Sequence, residues 1–335
     1  MFKICMVGCG AIARSSHGPS VRRYVSKNPG VEFAACCDID EERARAFKDE
    51  FGVTNYYTDM DVMLDREKPQ AVCLVSPVEV TAALSCRILG RGYPLILEKP
   101  PGMDGLEARG MIEACGDVPN QVAFNRRYMP LVIKAMELID EWGGAECILD
   151  INYRMLRVNR RDRDFATTAI HGIDLVKFLS KSNYRHIDFT YRELPQLGEN
   201  VANFHLSCVM DSGAVTRLDF LPISGANTER LEINTTNGLI VLYLPIWAGC
   251  FDGVGRLCHI RDNETVLTVY GNESDEDFVL GGFYDENARF FDDVRSGRRP
   301  EGDIASGLQA VEVASCISRR MKAYNTEYGY ETCKI

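Results

Sequence analysis

A glycine turn, Gly8-Cys9-Gly10-Ala11-Ile12-Ala13, stands directly behind the first apolar run of the chain, FKICMV. This fits the G-x-G-x-x-G/A pattern, with Ala13 in the third place. The first glycine permits a tight turn, and the second lets backbone approach a pyrophosphate. A small third residue lets the following helix sit close to the sheet, with its N-terminal N–H groups toward the phosphates. Gly-x-Gly turns are common, so position gives this one its weight. It follows a strand and precedes about 25 residues that return to a second strand, the spacing of a βαβ unit. That second strand, VEFAACC, leads into Asp38. A carboxylate there accepts hydrogen bonds from an adenosine ribose and repels a 2′-phosphate. Ile39 and Asp40 follow, with no Arg or Lys to greet that phosphate, so the cofactor expected is NAD rather than NADP. The plainer reading of Asp38 is a strand-end or helix-cap residue.

The remaining organisation supports an α/β class. AVCLVS (71–76) and YPLILEK (93–99) are further short apolar runs of the kind buried in a parallel sheet. Helical patterns lie between them at 40–52 and 78–92, both ending in glycine. Strand–helix–strand order implies right-handed crossovers and a doubly wound sheet. From about residue 121 the pattern changes to period-two alternation, as in ECILDINYRM, NVANFHLSCVM, AVTRLDFLP and RLEINTTNGLIVLYL. Helices are expected at 130–142, about 168–180, 284–296 and 303–323. The expectation is a Rossmann domain over 1–121 and an α+β domain over 122–335 with a broad open, mainly antiparallel sheet.

With 335 residues the chain can build two cores. Its net charge of -10 argues against nucleic acid or an anionic membrane as partner. The 13 cysteines form no C-x-x-C pair and read as reduced thiols used as small hydrophobes, which points to a cytoplasmic setting. No apolar stretch approaches the ~20 residues needed to cross a bilayer, and MFKICMVGCG reads as a first strand rather than a signal peptide. His17, His186, His205 and His259 fit no ligand spacing, so no metal is expected.

Ser76-Pro77 and Glu98-Lys99-Pro100 close the third and fourth strands. With VGCGAIA, His17, Asp38, Asn125-Arg126-Arg127-Tyr128-Met129-Pro130, His171-Gly172-Ile173-Asp174 and GFYDENARFFDDVRSGRRP, they make the chain resemble the glucose–fructose oxidoreductase / inositol dehydrogenase family (Gfo/Idh/MocA) nearly end to end. The resemblance implies a Rossmann domain followed by a domain with an open sheet often used for oligomerisation. It also implies NAD(P)-linked chemistry at a sugar or polyol carbon, and a homodimer or homotetramer. Gly8, Gly10, Ala11, Ile12, Asp38, Ser76, Pro77, Glu98 and Lys99 would then line the cofactor, and Pro100 would follow a cis bond.

Hydride transfer from a carbinol needs a group that takes the hydroxyl proton. His171 is the candidate base, near the start of a helix capped by Thr167 or Thr168, where neutral imidazole is favoured. Asp174, on the same helix face, either orients His171 or supports the fold. Lys99 at a strand's C-terminal edge can stabilise a developing alkoxide. Arg126 and Arg127 read equally as surface charges or substrate clamps, and Tyr153 as a substrate contact. Two places depart from the family pattern. Thr167 stands where many members carry an Asp four residues before the His, and Thr81 stands where many carry a His. The substrate-side residues expected are therefore Arg127, Tyr153, Asp174 and Thr167. The leading reading is a dehydrogenase acting on CH–OH groups. Its alternatives are a redox-neutral glycosidase or epimerase that retains NAD, and a non-catalytic NAD-binding sensor.

Overall fold

The computed structural model describes residues 1–247 and 249–326. The chain forms two compact units, Met1–Asn125 with Gly282–Val311, and Arg126–Gly281 with residues 312–326.

The first unit is built on a six-stranded parallel sheet. Its strands are β1 (Phe2–Val7), β2 (Val31–Cys37), β3 (Asn55–Tyr57), β4 (Ala71–Leu74), β5 (Leu95–Glu98) and β6 (Asn120–Ala123). Their order is β3-β2-β1-β4-β5-β6, which reverses direction between β1 and β4. That reversal is where open α/β sheets bind their ligands, beyond the C-terminal strand ends. The apolar runs form strands because both faces are buried, as in the all-buried Ala71–Leu74. Helices α1 (Gly18–Lys27), α2 (Glu41–Phe51), α3 (Met60–Glu67), α4 (Val78–Gly90) and α5 (Gly105–Cys115) make the crossovers. Asp40, Asp59 and Asp104 cap α2, α3 and α5, each accepting from two backbone N–H groups. The segment leading into α1 is not plain α-helix, since Ala13–His17 winds as a π-turn. The short β3, α3 and α5 carry too little periodic signal to be read from sequence.

The second unit opens with α6 (Pro130–Glu141), β7 (Ile148–Leu156) and α7 (Ala166–Ser180). The strands β8 (Tyr184–Glu193), β9 (Ala202–Met210), β10 (Val215–Leu221), β11 (Thr228–Thr235), β12 (Gly238–Tyr243), β13 (Arg256–Arg261) and β14 (Glu264–Tyr270) follow, and then the short α8 (Asp277–Leu280). The chain returns to the first unit with α9 (Phe283–Ser296) and the start of α10 (Ile304–Ser318), and then adds β15 (Ala323–Asn325) to the second. The nine-stranded sheet runs β14-β13-β12-β11-β7-β10-β9-β8-β15. Among the described residues of this sheet, β7–β10 is the one parallel pair. Helices α7 and α6 pack on one face of it. A boundary at residue 121 assigns 282–311 to the second domain, whereas these residues pack in the first unit. Phe290 and Phe291 of α9 lie in the same core cluster as Ile4, Tyr24 and Phe47.

The other sheet face presents a single register row that includes His205, Asp219, Arg154, Arg230, Tyr243, Arg256 and Tyr270. His205 Nδ1 lies 2.6 Å from Asp219, and Arg256 stacks over Tyr243 at 4.3 Å. Charged and aromatic side chains interleave on this face because the strands' outward positions are polar.

Candidate active site

In the first unit the glycine turn is held by geometry that no other residue permits. Gly8 has φ +91, and a Cβ there would lie 2.0 Å from the Val75 carbonyl oxygen. A Cβ on Gly10 would meet no protein atom within 4 Å, so the space beside it is open to a ligand's backbone approach. Ala11 and Ile12 are exposed behind it. Asp38 does more than stand at the strand end. Its carboxylate accepts the Cys9 N–H at 2.8 Å and the Asp40 N–H at 3.0 Å, which clamps the turn between its two glycines. Ile39 beside it is 95% exposed. The helix cap is Asp40, not Asp38. An open turn of backbone N–H groups with a carboxylate beside it fits a pyrophosphate and an adenosine ribose.

Ser76, Pro77, Glu98 and Lys99 stand at the C-terminal ends of β4 and β5, on the same side of the sheet as the turn. The Ser76 hydroxyl pairs with Thr81 at 2.9 Å, and Thr81 in turn donates to the Pro77 carbonyl. Thr81, in the place of a family histidine, is thus spent on holding the Ser-Pro corner. The Lys99–Pro100 bond is cis. Glu98 Oε2 accepts the Lys99 backbone N–H at 3.1 Å, and its Oε1 lies 3.0 Å from His17 Nε2. Burial works to raise the Glu98 pKa. The hydrogen bond from His17 and the electrostatic attraction of His17 and of Lys99 outweigh it and hold the carboxyl below its ordinary value.

In the second unit His171 lies in the second turn of α7 and is 9% exposed. The helix begins earlier than a Thr167 or Thr168 cap would place it. Phe165 is the N-cap residue, and the Asp164 carboxylate accepts the Ala166 N–H at 3.0 Å. Thr167 donates to the Asp164 carbonyl at 2.9 Å. Arg127 and Asp174 are brought together as a buried pair, Nε to Oδ2 at 2.8 Å, with a second nitrogen on the other oxygen. Asp174 therefore answers an arginine across 47 residues of sequence. The guanidinium of Arg127 also lies over the Phe178 ring at 5.5 Å.

Tyr153 points inward and has no exposed surface. Its hydroxyl donates to Glu229 at 3.0 Å, and its ring closes on Gly172, where a Cβ would lie 2.2 Å from a ring carbon. It therefore supports the helix at the residue after His171. Glu229 is the hub. Arg126 reaches it at 2.7 and 2.6 Å, and Arg157 joins it from the end of β7. Burial works to raise the Glu229 pKa, but the charges and hydrogen bonds of the two arginines hold it down at about 2. Arg126, readable as a surface charge, is 6% exposed.

Sequence reasoning missed Glu229, Arg157, His17 and Asn287. A signal existed for two of them. Glu229 shares strand parity with the inward Leu231 and Ile233, and Arg157 with the inward Ile151, Tyr153 and Met155. A charge at an inward position demands a partner. His17 and Asn287 carried no comparable mark.

Fold and turn together define a Rossmann dinucleotide-binding unit joined to an α+β unit with an open sheet. Residues 2–125 match the model of the Gfo/Idh/MocA oxidoreductase family, described as NAD-binding Rossmann fold. D-apiose dehydrogenase of Paraburkholderia graminis is 32% identical over 231 residues, 65% of this chain and 60% of that enzyme. Inositol 2-dehydrogenase of Salmonella typhimurium is 26% identical over 193 residues, 55% of this chain and 56% of that enzyme. The match thus spans less than two thirds of either relative. A solved dehydrogenase from Chromobacterium violaceum superposes with a TM-score of 0.80 at 21% identity, covering 96% of this chain and 95% of that one. Levoglucosan dehydrogenase, solved with NADH and levoglucosan, superposes equally at 0.80 with 18% identity over 95% and 96% of the two chains. These likenesses establish the two-domain fold over nearly the whole chain.

Proposed function

We propose that this chain is an NAD-dependent dehydrogenase that transfers a hydride between a CH–OH carbon of a sugar or polyol and nicotinamide. The observation that carries the reading is the clamped glycine turn, with Gly8 fixed by Val75 and the open space beside Gly10 facing no protein atom. Relatives named for apiose and inositol supply the substrate class. Gly8, Gly10, Ala11, Ile12, Asp38, Ser76 and Pro77 would hold NAD, and its nicotinamide would supply the hydride acceptor. Lys99 donates to the reacting oxygen and lowers the cost of alkoxide charge. His171 takes the hydroxyl proton as base. Arg127 and Asp174 form the polar floor of the substrate side, and Thr167 takes the family carboxylate's place.

The test is to incubate the purified chain with NAD and a panel of aldoses, ketoses and cyclitols and to follow NADH absorbance. Stoichiometric NADH supports the reading. Product without NADH would instead mark a redox-neutral glycosidase or epimerase. Tight NAD binding with no turnover across the panel would mark a sensor.

The open sheet face, with its interleaved charges and rings, is the surface we propose for closed pairing into a dimer or tetramer. A monomer by light scattering at micromolar concentration contradicts that. Buried thiols throughout both units suit a reducing cytoplasm.

A further inference from the structure

One buried polar chain in the first unit plays no part in the chemistry just described, yet it ends on Lys99. It starts at Cys73 of β4, whose thiol lies 3.9 Å from Asn287 Oδ1. Asn287, on α9, is fully buried. Its amide nitrogen donates to the Phe283 carbonyl at 2.8 Å and lies 3.1 Å from His17 Nδ1. His17 Nε2 reaches Glu98 Oε1 at 3.0 Å, and Glu98 Oε2 accepts the Lys99 N–H at 3.1 Å.

The Phe283 carbonyl can only accept, so the group facing it is the Asn287 NH₂. His17 Nδ1 lies against the same amide, 3.1 Å from its nitrogen and 3.4 Å from its oxygen. A carboxylate can only accept, so Nε2 carries the proton. Both ring nitrogens of His17 therefore have a partner. The ring is further fixed edge-on to Phe283, with centroids 5.5 Å apart and planes at 80°. The π-turn Ala13–His17 delivers the imidazole to this point. At the next residue only glycine fits, because a Cβ on Gly18 would lie 2.9 Å from the Ala13 carbonyl oxygen and from the Phe51 ring.

We propose that His17 is a positioning residue for Lys99: it anchors the Glu98 carboxylate, which in turn holds the Lys99 backbone amide and so sets where the ammonium stem departs from the strand. The claim rests on the reading that Lys99 serves the reacting oxygen. Packing alone gives no reason for the arrangement, since burying a His–carboxylate pair costs desolvation that an apolar pair avoids. A fully satisfied polar chain does what an apolar pair cannot, which is to fix a direction. Glu98 without His17 would keep one hydrogen bond and could rotate about its side-chain torsions.

The test compares His17→Phe, His17→Gln and wild type by two readouts. The first is deuterium exchange at the Lys99 backbone amide. His17→Phe should exchange about tenfold faster there, the factor that one hydrogen bond of ~1.4 kcal/mol makes, while β1 and β2 amides stay unchanged. His17→Gln, whose side-chain N–H reaches the same carboxylate, should restore protection. The second is turnover. His17→Phe should lower kcat about tenfold or more with KM for NAD within about threefold, and His17→Gln should recover most of it. Unchanged exchange in folded His17→Phe, or no rescue by His17→Gln, overturns the proposal. If His17→Phe does not fold, Asn287→Leu removes the group that fixes the other side of the ring. Unchanged Lys99 exchange in that variant overturns the proposal equally. A wild type that makes no NADH from any sugar or polyol defeats the dehydrogenase reading, and the Lys99 exchange still decides the role of His17.

Discussion

The Asp38 carboxylate accepts the backbone N–H of Cys9 at 2.8 Å, so the residue proposed to choose the cofactor also holds the glycine turn. The two roles separate under substitution. Asp38→Ser with Ile39→Arg removes the charge and shortens the clamp, and should weaken both cofactors. Asp38→Asn with Ile39→Arg keeps an acceptor for Cys9 while adding a phosphate partner. That pair should shift preference toward NADP by about tenfold or more, the scale of one charge-assisted contact. Dissociation constants for NAD and NADP in the three proteins check this, and tighter NADP binding by the wild type contradicts it.

Lys99→Ala and His171→Ala should each lower kcat by about 100-fold or more, the usual scale for a positioned acid–base group. NAD affinity should stay within a few-fold. A variant with near-normal turnover on the true substrate removes that residue from the chemistry.

Glu229 predicts an acid-sensitive second unit. Its folded pKa of about 2 lies below the ordinary 4.5, so the stabilisation is full above 4.5 and is lost as pH falls toward 2. The linkage amounts to something on the order of 3 kcal/mol. Glu229→Gln leaves Arg126 and Arg157 buried without their counter-charge and should cost about 3–5 kcal/mol at neutral pH. Urea melts of both proteins from pH 7 to pH 3 should converge as the wild type loses what the variant never had. Parallel curves would show that Glu229 is not the group that titrates.

Gly172 admits no side chain while Tyr153 is in place. Gly172→Ala should destabilise the second unit by about 1–3 kcal/mol, the cost of overpacking, and Tyr153→Leu in the same chain should recover part of it. Thermal melts of the single and double variants measure the coupling. Simple additivity would mean the two residues do not touch.

Thr167 and His171 are four residues apart on α7 and share a face. Thr167→Asp places a carboxylate where it can favour the imidazolium, so the base loses its proton only at higher pH. The acid limb of the kcat/KM profile should move upward in pH. An unmoved profile in a folded, active variant means that the new carboxylate does not reach the ring or that His171 is not the titrating base.

The sequence by itself determined the elements whose demands are local. Gly8 and Gly10 mark a tight turn directly behind a buried run, Asp38 follows a run that reads as a buried strand, and alternation from β7 to β14 marks a sheet with one open face. These follow from backbone sterics and from burial of side chains a few residues apart, both of which are written in the local order of residues. Tertiary structure alone decided the partnerships. His17 meets Asn287 across 270 positions, and Arg126 meets Glu229 across 103. It turned Tyr153 inward onto Gly172, gave Asp174 to Arg127, and placed α9 in the first unit. A buried charge announces that it needs a partner, but which partner depends on how the sheets bring distant strands and helices together.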